Sequence, residues 1–161
     1  MSEAASILLV EDDPHDVELT LRAFHSENVQ GRIEIARDGE EALDYLFCRG
    51  AFRSRTPDQQ PALVLLDLKL PKVGGLQVLR EVKASVECQS TPIVVMTSSG
   101  ERRDVTESYR LGANGYIQKP VDVAEFRKAI RALAAYWLGV NLSPSRSRPG
   151  QVSAMPAPGA R

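Results

Sequence analysis

Two apolar runs restrict this chain more than any other feature. ALVLL at 62–66, closed by Asp67, and IVVMT at 93–97 carry no charge and no polar alternation. A strand with one face in water alternates apolar and polar residues. A continuous run of Leu, Val and Ile is expected of a strand covered on both faces, the pattern of parallel sheets. SILLV at 6–10 is a third such run, ending in Glu11 and Asp12. Shorter strands are expected at 33–36 (IEIA) and at 115–120 (GYIQKP), the latter closed by Pro120.

Helical spacing fills the intervals. Pro14 suits a first helical turn, and Val17, Leu21 and Phe24 follow on one face, broadened by Leu19 and Ala23. Asp38 is placed to cap a helix carrying Ala42, Leu43, Leu46 and Phe47. Leu76, Val78, Leu79 and Val82 mark a third helix, and Val105, Tyr109 and Leu111 a weaker one within 101–111. The last helix is expected from about Asp122 to Leu138. Residues 49–61 read as a loop, broken by Gly50, Pro57 and Pro61. Strand and helix alternate five times, which predicts an α/β fold with a five-stranded, doubly wound parallel sheet. In such folds the functional crevice lies at the carboxyl ends of the strands.

Composition narrows the function. The 161 residues contain 20 Lys and Arg against 21 Asp and Glu. A net charge of −1 gives no reason to expect nucleic-acid binding. No run reaches the roughly 18–20 apolar residues of a membrane span, and the N-terminus lacks the basic segment of a secretory signal. Cys48 and Cys88 have no CxxC spacing and read as free thiols of a reducing, cytoplasmic compartment. One domain is expected over 5–140. Residues 141–161 hold four Pro, four Ser, two Gly, three Arg and no acid, and are expected to form a disordered tail.

The strand ends carry the chemistry. Glu11 and Asp12 end the first strand, Asp67 the third, Thr97 the fourth and Lys119 the fifth. Each has a bland explanation alone: a helix-capping pair, an ordinary strand-end acid, a cap hydroxyl, a surface lysine. Four strand ends converging on one edge are harder to explain that way. Three carboxylates in one crevice repel unless a cation intervenes, and a hard dication with oxygen ligands, Mg²⁺, suits them. The charges −3, +2 and +1 then balance, in a site built to hold a phosphoryl group.

ILLVEDD, LVLLDLKLP, PIVVMTSS and GANGYIQKP together resemble the receiver domain of two-component response regulators, over about residues 5–139. The resemblance implies a flavodoxin-like sheet of order 2-1-3-4-5. It implies Asp67 as phosphoacceptor for a histidine kinase, Asp12 and Asp67 as metal ligands, and Glu11 as the acid holding the metal through water. The main-chain carbonyl of Lys69 would complete the metal shell. Thr97 and Lys119 would bind the phosphoryl group, Thr97 and Tyr116 would form the switch, and the bond before Pro120 would be cis. The 49–61 loop and the helix end AAYWLGVN are similar to single-domain response regulators that partner phytochrome-type histidine kinases, with no output domain expected to follow. Such a protein catalyses only its own phosphorylation and dephosphorylation.

Two other readings stand beside this one. A haloacid-dehalogenase-type phosphohydrolase also forms an aspartyl phosphate on a doubly wound sheet, but needs an acid two residues after the nucleophile, where this chain has Lys69. A degenerate receiver acting as a constitutive binding module would not need the intact acid cluster. Finally, Val123, Phe126, Ile130, Leu133, Trp137 and Val140 form one stripe of the last helix, with Ala129, Ala132 and Tyr136 on a second face. The stripe outruns the sheet, so a homodimer is expected through the fourth helix, fifth strand and fifth helix, with Trp137 and Tyr136 at the interface.

Overall fold

The computed structural model describes residues 6–29 and 31–144. Five strands, β1 Ser6–Val10, β2 Arg32–Ala36, β3 Leu63–Leu66, β4 Ile93–Thr97 and β5 Gly115–Gln118, pair in the order β2-β1-β3-β4-β5, all parallel. Between and after them run α1 Pro14–Ser26, α2 Gly39–Leu46, α3 Gly75–Ala84, α4 Arg102–Arg110 and α5 Val123–Ala134. The apolar runs of β1, β3 and β4 lie at the centre of the sheet because each needs cover on both faces. Residue parity divides them. Leu8, Val10, Val64, Leu66, Ile93 and Val95 pack with α2 and α3, while Ile7, Leu9, Leu63, Leu65, Val94 and Met96 pack with α1 and α5.

Local chemistry starts the helices where the sequence suggests. Asp13 caps α1 by accepting from the His15 amide at 2.8 Å, with Pro14 at the first helical position. Asp38 caps α2 through the Glu41 amide at 2.7 Å, and Asp122 caps α5 through the Ala124 amide at 2.7 Å. α3 has no side-chain cap, and its start is fixed by close approach instead. A Cβ on Gly75 would lie 2.3 Å from the Asp67 carbonyl oxygen, so only glycine lets α3 pack under the end of β3.

The loop over 49–61 contains a short 3₁₀ turn, Gly50–Phe52. Arg55 fastens it: the guanidinium stacks 3.7 Å from the Tyr45 ring centroid and donates to the carbonyls of Tyr45 and Gln59.

The structure corrects the expected course of the last helix. Phe126, Ile130 and Leu133 are buried, and Trp137 is half-buried with Leu138 against the α1–α5 layer. Trp137 therefore packs on its own domain, because apolar cover reaches further than the strands do. Over Ala135–Val140 the helix widens into π geometry, with the Asn141 amide donating to the Tyr136 carbonyl five residues back at 2.7 Å. The wider turn rotates Val140 off the stripe, leaving it 60% exposed. Val123, in the opening turn before the helix meets the layer, is 57% exposed. In α4, Tyr109 is exposed rather than inward. Among the described residues every peptide bond is trans, including Lys119–Pro120, where the resemblance implied cis; trans is the lower-energy isomer of an X–Pro bond. Of the expected tail, 145–161 lies outside the described residues.

Candidate functional site

Register brings the strand ends level. Val10 pairs with Leu66 and Leu66 with Val95, so Glu11 and Asp67 leave neighbouring strands side by side, with Thr97 one strand further on. Main-chain bonds continue past the strands: Glu11 donates to the Ala36 carbonyl at 2.9 Å, Asp67 to Val10 at 3.1 Å, and Lys119 to Thr97 at 2.7 Å. The backbone bearing each site residue is thus held by the adjacent strand.

Asp67 is the hub. Its Oδ1 accepts from the Thr97 hydroxyl at 2.8 Å and from the Lys69 amide at 3.3 Å, and its Oδ2 from Lys119 Nζ at 3.2 Å. Burial works against ionisation of this acid. The Lys119 ammonium and the Thr97 hydroxyl outweigh it and hold Asp67 below the ordinary carboxylate range. Glu11 is only 3% exposed, and burial pushes its pKa up to about 7. Its contact with Lys119 opposes that rise and the nearby Asp67 charge adds to it. Lys119 loses solvation too, but Glu11, Asp16 and Asp67 hold it above its ordinary value.

Asp12 is exposed at the mouth of the site. Glu11, Asp12 and Asp67 each offer a carboxylate oxygen, all within 4.8 Å of one another. Three hard oxygen donors, one of them open to water, fit a divalent cation that keeps part of its hydration shell. The Lys69 side chain is exposed, and its amide points to Asp67.

All five strand-end residues expected from the sequence converge. Tyr116 does not reach Asp67. Its hydroxyl donates to the Ser99 carbonyl at 2.8 Å, and its ring packs against the layer of α2 and α3. Thr97 points at Asp67 and Tyr116 lies against the β4–α4 loop, so the two positions expected to form a switch are linked by that loop. Trp137 and Tyr136, in edge-to-face contact at 4.8 Å, belong to the last helix and not to this edge. Sequence reading missed Asp16, whose Oδ2 lies 2.9 Å from Lys119 Nζ. The available signal was its position in the first turn of a helix that starts directly at the acid cluster.

A doubly wound sheet that gathers these groups around one strand-end aspartate defines a receiver-type signalling domain. Comparison with known proteins agrees. A profile of the response regulator receiver domain matches residues 7–131. The chain belongs to the response regulator receiver family.

Among its relatives, the probable methanogenesis regulatory protein FilR2 of Methanothrix harundinacea is 42% identical over 139 residues, 86% of each chain. Response regulator Rcp1 of Synechocystis is 34% identical, covering 82% of this chain and 88% of its own. The Mn²⁺-bound structure of Rcp1 superposes with a TM-score of 0.79 at 33% identity, over 87% of this chain and 99% of that one. The bacteriophytochrome response regulator RtBRR is 48% identical, with a TM-score of 0.72 over 88% of this chain and 84% of that one.

Proposed function

We propose that Asp67 accepts a phosphoryl group from a histidine kinase, and that the aspartyl phosphate switches the surface formed by α4 and β5. The observation that carries this reading is the set of bonds on Asp67. One carboxylate oxygen holds the Thr97 hydroxyl and the other the Lys119 ammonium, at 2.8 and 3.2 Å. A carboxylate oxygen attacks phosphorus, the P–N bond to the kinase histidine breaks, and the imidazole leaves with its electron pair. Glu11, Asp12 and Asp67, with the Lys69 carbonyl, would hold Mg²⁺, which neutralises charge on the transferring group. The phosphoryl oxygens then compete with the Asp67 carboxylate for Thr97 and Lys119. Whatever moves Thr97 moves the loop that carries Ser99, and with it the Tyr116 hydroxyl. A group can shift such an equilibrium only by contacting its two states differently, and these contacts supply that difference.

Several finer readings belong to the same proposal. The similarity to RtBRR and Rcp1 favours a phytochrome-type kinase as donor. Receiver chemistry is confined to the chain's own phosphorylation and dephosphorylation, and the free thiols Cys48 and Cys88 suit a reducing cytoplasm. Among the described residues no helix is long and apolar enough to cross a membrane. A homodimer through α4, β5 and α5 now rests on the exposed Tyr109, Tyr136 and Val140 rather than on Trp137. Sedimentation at micromolar concentration tests it, and a monomer in both phosphorylation states removes it.

The deciding experiment mixes the protein with a sensor kinase, labelled ATP and Mg²⁺. Label released by hydroxylamine is expected in the parent and absent in Asp67→Asn. Undiminished hydroxylamine-labile phosphate in that variant sinks the assignment.

A further inference from the structure

We propose that Asp16 is a positioning residue that holds Lys119 in competition with the phosphoryl group, and so weakens the grip of the site on that group. The inference rests on the reading of Asp67 as phosphoacceptor and adds a residue to that site.

A lysine ammonium has three N–H donors and no acceptor. Lys119 faces three carboxylates, Glu11, Asp16 at 2.9 Å and Asp67 at 3.2 Å, so its donors are fully committed. Its side chain is only 13% exposed, which leaves little room for further partners. A phosphoryl group on Asp67 brings about two negative charges and three acceptor oxygens to this ammonium. To bind it, Lys119 must give up a partner.

The three partners are not equivalent. Asp67 carries the phosphoryl group itself. Glu11 is buried and belongs to the three acids that can share a cation. Asp16 is in neither role. It projects from the first turn of α1, outside that group, and its side chain is 31% exposed. Once released it can be solvated by water, whereas Glu11 cannot. The Asp16–Lys119 pair is therefore the contact that yields. While intact it draws the lysine toward α1, and its charge opposes a further anion nearby. The same competition bears on every anion that binds at Asp67.

Beryllium trifluoride, a phosphoryl mimic that binds aspartate without a kinase, reads this directly. Its affinity in saturating Mg²⁺ is measured by calorimetry for the parent, Asp16→Asn, Asp16→Ala and Asp16→Glu, with thermal unfolding of each. Losing one partly exposed competing charge is expected to tighten binding about two- to tenfold in both the Asn and Ala variants. Asp16→Glu, which keeps the charge, is expected to return to the parent affinity. A structural role for Asp16 would lower the unfolding temperature and weaken binding; it would not produce a gain that Glu reverses. Unchanged or weaker binding by Asp16→Asn overturns the proposal while leaving Asp67 as acceptor. A parent that fails to bind beryllium trifluoride overturns both.

Discussion

Glu11→Gln gives a sharp test of the electrostatics at the strand ends. Glu11 is 3% exposed, and burial lifts its pKa from 4.5 to about 7, with Asp67 adding to the rise and Lys119 resisting it. Between those two values the folded, metal-free protein keeps a proton at Glu11 that the unfolded chain has released. The folded state binds more protons there, so stability falls as pH rises from 4.5 to 7 and levels off above. At 1.36 kcal/mol per pKa unit the loss across the window is about 3 kcal/mol, a large part of a domain's usual 5–15. Gln copies the protonated acid and cannot ionise. Urea unfolding in EDTA at pH 5, 6, 7 and 8 should show the parent losing about 2–3 kcal/mol relative to Glu11→Gln, with nearly all of the difference below pH 7.5. Asp67 acts in another window: held low, it contributes stability above about pH 4 that is lost only in stronger acid. A parent and variant with parallel stability profiles from pH 5 to 8 would refute the reasoning. Adding Mg²⁺ should flatten the parent's profile, because a dication beside Glu11 favours its charged form.

Other outcomes follow from the same geometry. Asp12→Ala should weaken Mg²⁺ binding at least tenfold in a titration while leaving or raising stability without metal, since it relieves repulsion among the acids. Gly75→Ala should cost about 1–3 kcal/mol in urea unfolding, because its Cβ would sit 2.3 Å from the Asp67 carbonyl oxygen and α3 must shift. It should also slow phosphorylation of Asp67, measured with labelled kinase. Ile130→Ala, on the fully buried face of α5, should cost about 2–5 kcal/mol with no change in beryllium trifluoride affinity.

The sheet was legible in the sequence because its central strands have no polar alternation. SILLV, ALVLL and IVVMT tolerate no water on either side, and their order along the chain leaves few parallel arrangements. The site was legible for a related reason. A strand that is apolar to its last residue and then stops at Glu11, Asp67 or Thr97 announces where its polar edge lies. Asp16 was not legible because its meaning depends on how α1 crosses the sheet, and spacing along one helix does not give that. The C-terminal helix misled in the opposite way. Its stripe correctly placed Phe126, Ile130 and Leu133 inward, but periodicity assumes uniform α geometry. The π turn over Ala135–Val140 breaks that assumption and turns Val140 outward, while Trp137 still finds cover on its own domain.

The acid cluster also concentrates its contacts on one lysine. Glu11, Asp16 and Asp67 all bond Lys119, and Asp12 stands beside Glu11 and Asp67, so four acids meet one ammonium at this edge. Burial cannot settle the imbalance by protonating every acid, since Lys119 and Thr97 keep Asp67 ionised. The proton goes to Glu11 instead, which is the acid a dication would reclaim. Asp67 thus stays ionised in the metal-free state, and Glu11 absorbs the electrostatic cost. Removing Thr97 or Lys119 would take away the contacts that oppose burial, and would raise the pKa of Asp67.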